Sequence, residues 1–293
     1  MTVGVLGPGA VGGVLTAGLL SAGVDVVCVA RPDTANLIRS EGLTLRQGPN
    51  VETVRPAVTT ELEEPLELLL VTVKAPSLEE ALDRIQVPVT TVLPLLNGIE
   101  HMQTIRSRLF ESVVIAGSVS LIEAYLERPG VIVQKTPAVV LTLAGEAKGV
   151  TADLINRSGV EVRLDGSEAE VLWAKLVRQA PVAAATALTQ RPIGELRGDP
   201  EWRRRLQEAV DESCAVAARE GVSLTPEAQW EIIDAMPPRL TSSTARDVAA
   251  GRPSELDAIT GATVRAGRRL GVPTPVLEEL LIEAEDACRA RSR

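Results

Sequence analysis

The chain contains 293 residues, of which 45% are hydrophobic, so it can bury the cores of two ordinary domains, and extensive disorder is disfavoured. Its net charge of −9 argues against general nucleic-acid binding, which needs a dense field of basic side chains. Four residues are Lys, 26 are Arg and one is His, so side chains that can transfer protons near neutral pH are scarce.

The first half of the chain alternates short apolar runs with helix-compatible segments, which predicts an α/β domain. The pattern begins with a strand, a tight turn, a helix and a second strand, at residues 2–6, 7–9, 10–20 and 25–30. Together these elements form a βαβ unit. Further strands are expected at residues 43–46, 68–73, 91–95, 113–117, 131–135, 139–143 and 160–164. Their continuous apolar character is typical of strands that are covered on both faces.

Beyond residue 166 the sequence is rich in Ala, Glu, Leu and Arg, which favours long helices. Ser167 and Glu170 match the S-x-x-E pattern of a capping box at the start of the first of them. Later helices are expected at residues 201–220, 225–235, 255–270 and 275–289. We therefore predict an α/β domain over residues 1–166 and an all-α domain over residues 167–293.

The turn after the first strand carries a G-x-G-x-x-G motif, which is formed by Gly7, Pro8, Gly9, Ala10, Val11 and Gly12. The first glycine permits a tight turn, and the second lets backbone N–H groups approach a pyrophosphate. The third lets the helix pack closely on the strand. Glycine-rich turns are common, but this one stands between a strand and a helix. The N-terminal domain is therefore predicted to be a Rossmann-type domain that binds a dinucleotide.

The end of the second strand indicates which dinucleotide binds. NAD-selective sites commonly place an acidic side chain there to accept a hydrogen bond from the ribose 2′-hydroxyl. This chain has Arg31 instead, whose guanidinium can pair with a 2′-phosphate through two parallel hydrogen bonds. The sequence therefore predicts NADPH as the cofactor. Asp33 lies nearby and is the competing ligand for an unphosphorylated ribose.

Two polar residues follow predicted strands at the edge where open parallel sheets bind ligands. Lys74 follows the run at residues 68–73, and Asn97 follows the next apolar run. The alternative is a surface lysine and an ordinary Asn-Gly turn. Because two such groups occur at two strand ends, we favour a binding role for both.

A third lysine lies within the first helix of the C-terminal half. Lys175 is surrounded in sequence by apolar residues, and Gln179 follows it on the same helical face. Pro181 cannot donate a backbone hydrogen bond, so a kink or a local distortion is expected there. A solvated lysine is the alternative interpretation of this position.

These motifs, in this order and over nearly the whole chain, resemble the ketopantoate reductase family, also called 2-dehydropantoate 2-reductases. The matching features are the fingerprint at residues 7–12, Arg31, Val73-Lys74-Ala75, Leu96-Asn97-Gly98, Trp173-x-Lys175-Leu176, Ser242-Ser243, Asp247, Arg252 and Glu255-Leu256-Asp257. The glycine motif is generic, whereas the lysine helix combined with the Ser and Glu segment is more specific. The resemblance implies NADPH-dependent reduction of ketopantoate to (R)-pantoate in pantothenate biosynthesis.

The resemblance also implies roles for individual residues. Lys175 would be the general acid that protonates the alkoxide formed by hydride transfer, and Glu255 would orient it or bind a substrate hydroxyl. Ser243 would help to bind the substrate carboxylate. Lys74 and Asn97 would hold the cofactor and the reacting carbonyl region. An ordinary lysine is protonated at neutral pH, so this chemistry needs no lowered lysine pKa.

The sequence departs from the family pattern at two substrate-binding positions. The family commonly has asparagines four and eight residues after the lysine, and this chain has Gln179 and Ala183. Gln179 retains an amide that could still bind a displaced substrate, whereas Ala183 has no polar group. A reductase of another 2-oxo acid or small carbonyl compound is therefore an alternative. A nucleotide-sensing protein without turnover is a further alternative, which retention of Lys175 disfavours.

Other kinds of site are not indicated by the sequence. The three cysteines are widely separated and lack a nearby histidine, so no metal site is expected. His101 lies at a helix start and is interpreted as a structural or solvated residue. Neither a basic leader nor an apolar run of about 20 residues occurs, so we expect a cytoplasmic protein without a membrane partner. A homodimer is possible, but no specific seam predicts one.

Overall fold

The computed structural model describes residues 2–147 and 149–291, and its contacts divide the chain into two units. One unit comprises the chain up to Leu96 together with His101–Val171. The other comprises Asn97–Glu100 and the chain from Leu172 onward. Sheets occupy the first unit and helices the second, so the predicted fold class is confirmed. The domain limit at residue 166 stays a prediction, and its outer ends at residues 1 and 293 lie outside the described residues.

The strands of the first unit are β1 (Thr2–Leu6), β2 (Asp25–Val29), β3 (Leu43–Gln47), β4 (Asn50–Val54), β5 (Ala57–Thr59), β6 (Leu66–Val71), β7 (Val89–Pro94), β8 (Val113–Val114), β9 (Gly117–Leu121), β10 (Ala124–Arg128), β11 (Val131–Gln134), β12 (Val140–Leu143) and β13 (Glu161–Leu164). Its helices are α1 (Ala10–Ser21), α2 (Pro32–Glu41), α3 (Leu78–Leu82), α4 (His101–Arg108) and α5 (Val150–Arg157). Short 3-10 turns occur at Ala75–Ser77 and Gly145–Ala147.

The main sheet of this unit is parallel and has six strands in the order β5-β2-β1-β6-β7-β8. Val3, Val5, Leu69 and Leu70 in its central strands are fully buried, as their continuous apolar runs predict. This burial fixes the carboxyl ends of β1, β2 and β6, after which the predicted cofactor residues follow. The strand expected at residues 68–73 is displaced, since β6 ends at Val71.

Two smaller sheets complete the unit, in the orders β10-β11-β3-β4 and β13-β12-β9. The sequence did not predict β4, β5 or β10, each of which is the last strand at an edge of its sheet. Edge strands are largely exposed and therefore lack an apolar pattern, as in β4 and β10. The single strand expected at residues 113–117 is wrong, because the chain leaves the main sheet after β8 and enters another sheet at β9.

The remaining elements are α6 (Glu168–Thr189), which begins at the end of the first unit, then α7 (Ile193–Gly198), α8 (Pro200–Arg219), α9 (Pro226–Ala235), α10 (Ser243–Ala249), a π-helical turn (Asp257–Gly261), α11 (Ala262–Leu270) and α12 (Pro275–Arg291). Three of the four later helices agree with expectation to within two residues. The helix expected at residues 255–270 differs, because it begins with the π-helical turn. Helix α6 continues through Pro181.

The predicted capping box at the start of α6 is confirmed. Glu170 Oε2 accepts hydrogen bonds from the Ser167 backbone N–H at 2.6 Å and from its hydroxyl at 2.9 Å. The Ser167 hydroxyl oxygen accepts from the Glu170 backbone N–H at 3.4 Å. Two backbone donors at the helix start are thereby satisfied, which fixes where the lysine-bearing helix begins.

We expect Ser167→Ala to lower the free energy of unfolding by about 1 kcal/mol, because the Glu170 N–H loses its side-chain acceptor. Urea denaturation measures this difference. Ser107→Ala is the control, since the exposed Ser107 hydroxyl only donates to the Thr104 carbonyl, and its change should stay within about 0.5 kcal/mol. Equal losses in the two variants would contradict a capping role for Ser167.

Candidate active site

The turn between β1 and α1 has a shape that requires glycine. Gly7 has φ +89°, and its N–H donates to the Val29 carbonyl at 3.0 Å. A Cβ at Gly12 would lie 2.3 Å from Thr72 Oγ1 and 2.5 Å from the Gly7 carbonyl oxygen, so only glycine lets α1 come this close. At Gly9 the nearest atom to such a Cβ is 3.9 Å away. The backbone at Gly9 is therefore open to a ligand.

Thr72, which sequence reasoning missed, holds this loop in place. Its hydroxyl donates to the Gly7 carbonyl at 2.8 Å and lies 3.2 Å from the Leu6 carbonyl. The first turn of α1 contains no acidic side chain, so the positive end of the helix dipole is not neutralised locally. An open glycine backbone at a helix N-terminus fits the pyrophosphate of a dinucleotide.

The predicted phosphate and carbonyl ligands of the first unit lie at strand ends. Arg31 is exposed and is the N-cap residue of α2, directly after β2. In the described part of the chain it forms no ion pair, so its guanidinium is available to an anion. Asp33 is exposed in the first turn of α2. Lys74 is exposed three residues beyond β6 and precedes the 3-10 turn.

In the second unit, Asn97 is the centre of a polar cluster. Asn97 Oδ1 accepts hydrogen bonds from Lys175 Nζ and from Gln179 Nε2, each at 3.0 Å. Asn97 Nδ2 donates to Glu255 Oε2 at 2.9 Å. The amide orientation follows from chemistry, because an ammonium group can only donate and a carboxylate can only accept. The structure thus brings together four of the residues that the sequence nominated.

The electrostatic surroundings of Lys175 favour proton release at moderate pH. Burial lowers the pKa of Lys175 from its ordinary 10.5 to about 8. The negative charge of Glu255 opposes this shift, and the positive charge of Arg178 adds to it. Glu255 itself is only 6% exposed, so its carboxylate acts on the ammonium with little screening by water. The sequence had predicted no need for a lowered pKa here.

Ser243 lies on α10, on a different element from the residues of this cluster. It is the exposed first residue of α10. Its neighbour Ser242 is the N-cap residue, whose hydroxyl oxygen accepts from the Ala245 N–H at 2.9 Å and from the Thr186 hydroxyl at 2.7 Å. Among the residues that the structure describes, no hydrogen bond joins Ser243 to the cluster around Asn97. Its substrate role stays a prediction.

His101 is buried at the start of α4 with 5% of its surface exposed. Within residues 2–147 and 149–291, neither of its ring nitrogens has a hydrogen-bond partner. Burial lowers the pKa of His101 from 6.5 to about 4, although the charge of Glu168 opposes the shift. The imidazole is therefore neutral at physiological pH, which favours the structural interpretation over the solvated one.

The described ranges contain neither a metal-binding cluster nor a membrane-spanning helix. No group of three or more His, Cys, Asp or Glu side chains there is arranged to hold a metal ion. No helix among these residues is both long and apolar enough to cross a bilayer. Cys28 and Cys214 are buried free thiols, and Cys288 is half-buried.

Comparisons with known proteins agree with this arrangement. The family model described as Ketopantoate reductase PanE/ApbA matches residues 3–148, and its C-terminal model matches residues 169–284. A 2-dehydropantoate 2-reductase of Caulobacter vibrioides is 30% identical over 282 residues, which cover 94% of each protein. A crystal structure of a PanE/ApbA family ketopantoate reductase from Ralstonia eutropha has 30% identity and a TM-score of 0.88, with 100% of both chains covered.

A ternary structure of D-mandelate dehydrogenase with NADH and anilino(oxo)acetate has a TM-score of 0.90 at 21% identity, over 100% of both chains, and shows a shared fold alone. The family matches define an oxidoreductase that uses a nicotinamide dinucleotide. The chain belongs to the ketopantoate reductase family.

We expect acidification to destabilise the protein through His101. The pKa of His101 is about 4 in the folded state and near 6.5 in the unfolded state. Between pH 6.5 and pH 4 the unfolded state therefore binds a proton that the folded state does not, which favours unfolding. The contribution of His101 to the free energy of unfolding is therefore full above pH 6.5, and it falls by roughly 2–3 kcal/mol between pH 7 and pH 4.5.

Urea denaturation of the wild type and of His101→Leu at both pH values measures this contribution. The two proteins have the same carboxylates, and His101 is the single histidine of the chain. The free energy of unfolding should therefore fall by roughly 2–3 kcal/mol less in the variant than in the wild type. Identical losses would show that His101 is not held neutral by burial.

Proposed function

We propose that this protein reduces 2-dehydropantoate to (R)-pantoate with NADPH, in pantothenate biosynthesis. The observation that carries the proposal is the contact between Lys175 Nζ and Asn97 Oδ1, beside the buried carboxylate of Glu255, in a chain of this family. The ammonium group of a half-buried lysine held in this way can act on a developing oxyanion.

The residues of the first unit fit the cofactor. The glycine loop would bind the pyrophosphate through its backbone N–H groups, and Arg31 would bind the 2′-phosphate. Lys74 would also hold the cofactor. When bound, the reduced nicotinamide supplies the hydride that the keto carbon accepts.

Lys175 would supply the proton. With a pKa of about 8, most of the Lys175 side chain is ammonium at neutral pH, and it is a stronger acid than an ordinary lysine. One N–H proton would move from Nζ to the oxygen of the former keto group as that oxygen gains negative charge. Glu255 would hold the ammonium in position and keep its pKa from falling further.

The amides of the cluster would orient the substrate. The oxygen of Asn97 is used by Lys175 and Gln179, and one of its N–H groups is used by Glu255. The second N–H has no partner among the described residues, so it could donate to a substrate oxygen. Ser243, exposed at the start of α10, would donate to the substrate carboxylate.

A second candidate is reduction of another 2-oxo acid by the same lysine chemistry. The observation that favours it lies on α6. Gln179 uses an N–H on Asn97, and Ala183 is 1% exposed and apolar. Compared with two asparagines, this pair therefore leaves fewer hydrogen-bond donors for the hydroxyl and keto oxygens of ketopantoate. A 2-oxo acid without that hydroxyl group would lose less.

Oxidation of NADPH in the presence of ketopantoate and a panel of 2-oxo acids tests both candidates. We expect turnover with ketopantoate, and a loss of roughly 10²–10⁴-fold in kcat/KM for Lys175→Ala, which removes the proton donor. The rate of reduction should fall as the pH rises through about 8, since Lys175 loses its proton there. Lys135→Ala is the control, because Lys135 is exposed and paired with Glu123.

Each result has a distinct meaning. Turnover with another acid alone would replace ketopantoate with that substrate. Tight NADPH binding without turnover of any acid would indicate a nucleotide-sensing protein. Full activity of Lys175→Ala would refute its role as the acid.

The cofactor assignment has its own test. We expect Arg31→Ala to lower the preference for NADPH over NADH by roughly 10–100-fold in kcat/KM, because a charged hydrogen-bonded pair with the 2′-phosphate is lost. Arg39→Ala on the same helix is the control, since Arg39 bonds to Asn36 and Val58. If both variants keep the wild-type preference, Arg31 does not bind the 2′-phosphate.

A further inference from the structure

The segment Asn97–Glu100 lies directly on the π-helical turn Asp257–Gly261. Gly98 has φ +83°, and a Cβ there would lie 2.0 Å from the Ala258 carbonyl oxygen. No side chain fits at this position, so the two backbones are in direct contact. This contact places Asn97 beside the part of the chain that carries Glu255.

Arg265 on α11 fastens the other end of the same segment. Its Nε and Nη2 donate to the two carboxylate oxygens of Glu100, at 2.9 and 2.8 Å. Its Nη1 donates to Asp257 Oδ1 at 2.6 Å, and Nη2 also donates to the Asp257 carbonyl at 3.1 Å. A single exposed ion pair contributes little to stability, but a bidentate arginine–carboxylate contact within a network holds a defined geometry.

The π-helical turn is shaped around this arginine. A Cβ at Gly261 would lie 2.5 Å from Asp257 Oδ1 and 3.0 Å from Arg265 Nη1. The absence of a side chain at Gly261 thus leaves room for the ion pair. Single π-helical turns are uncommon and frequently mark functional sites, and this one begins two residues after Glu255.

We propose that Arg265 is a positioning residue, which clips the Asn97–Glu100 segment to the π-helical turn and so holds Asn97 against Lys175 and Glu255. This inference rests on the proposed function, in which Lys175 is the general acid. Arg265 touches neither the lysine nor the reacting atoms in this role. It acts through Glu100 and Asp257 on the two elements that carry the hydrogen-bond partners of the cluster.

The first test compares Arg265→Gln with Arg268→Gln. Both arginines lie on α11 and bind surface carboxylates, but Arg268 pairs with Glu278. We expect Arg265→Gln to lower kcat by about 10-fold with KM changed by less than about 2-fold, because the proton donor is misplaced. Arg268→Gln should keep the wild-type kcat. If Lys175→Ala lowers kcat but Arg265→Gln and Arg268→Gln have equal kcat values, the proposal is overturned.

The second test measures Lys175 directly, without substrate. The charged groups that act on it are Glu255 and Arg178, and burial is the main cause of its lowered pKa. Release of the segment admits water, so the Lys175 pKa should rise toward 10.5 in Arg265→Gln. NMR titration of protein with 13C-labelled lysine follows this change, since the chain has four lysines and Lys175→Arg identifies the resonance.

This titration separates the inference from the proposed function. If Lys175→Ala keeps full activity while the Lys175 pKa rises in Arg265→Gln, the acid assignment fails and the positioning role stands. An unchanged pKa in Arg265→Gln would overturn the positioning role, whatever the activity.

Conservative variants exclude a merely structural effect. Glu100→Gln breaks the ion pair with Arg265 but leaves the pair between Arg265 and Asp257 intact. It should also raise the Lys175 pKa, as Arg265→Gln does. This variant is the test if Arg265→Gln does not fold. Arg265→Lys should recover part of kcat. The double variant of Glu100 and Arg265 should have the same kcat as Arg265→Gln alone, since both substitutions break the same Arg265–Glu100 ion pair. Additive losses of kcat would contradict the positioning role.

Discussion

The free-energy cost of partly burying the Lys175 cation constrains which groups must lie around it in the helical unit. Burial disfavours the charged form of Lys175, so the charge must be met by an acceptor and a nearby negative group. Asn97 supplies the carbonyl oxygen, and Glu255 supplies the negative charge. These two residues come from distant parts of the chain, so helix α6, the segment Asn97–Glu100 and the residues before the π-helical turn must occupy fixed places. The network around Arg265 is one consequence of that requirement.

The two proposed binding sites depend on different physical constraints. In the first unit the determinant is steric, because Gly7 and Gly12 occupy positions where a side chain would collide or force an unfavourable φ. In the second unit the determinant is hydrogen-bond complementarity, since the amide of Asn97 satisfies a donor and an acceptor group at once. A glycine loop can serve any dinucleotide enzyme, whereas in our proposal the amide-centred cluster serves a reaction in which one proton moves to an oxygen.

Sequence reasoning succeeded where the signal is local. The first βαβ unit, the Ser167–Glu170 capping box and most long helices follow from short-range patterns, and these features are confirmed. It failed where pairing between distant segments decides the outcome. Edge strands β4 and β10 are largely exposed, β5 has only three residues, and nothing near residue 115 indicates a change of sheet. The roles of Arg265 and Thr72 depend on partners 165 and up to 66 residues away, which no periodicity can report.

The position of Asn97 has a consequence for how the molecule matures. Its hydrogen bond to Glu255 spans 158 residues, and the bond from Lys175 spans 78. Strand β7, which precedes Asn97, can pair with β6 early, because these strands are close in sequence. During synthesis the Asn97–Glu100 segment lacks its hydrogen-bond partners until Glu255 and then Arg265 have been added to the chain. The polar cluster therefore needs residues from three separate stretches of the sequence, so a chain that ends before Glu255 would contain the glycine loop but an incomplete polar cluster.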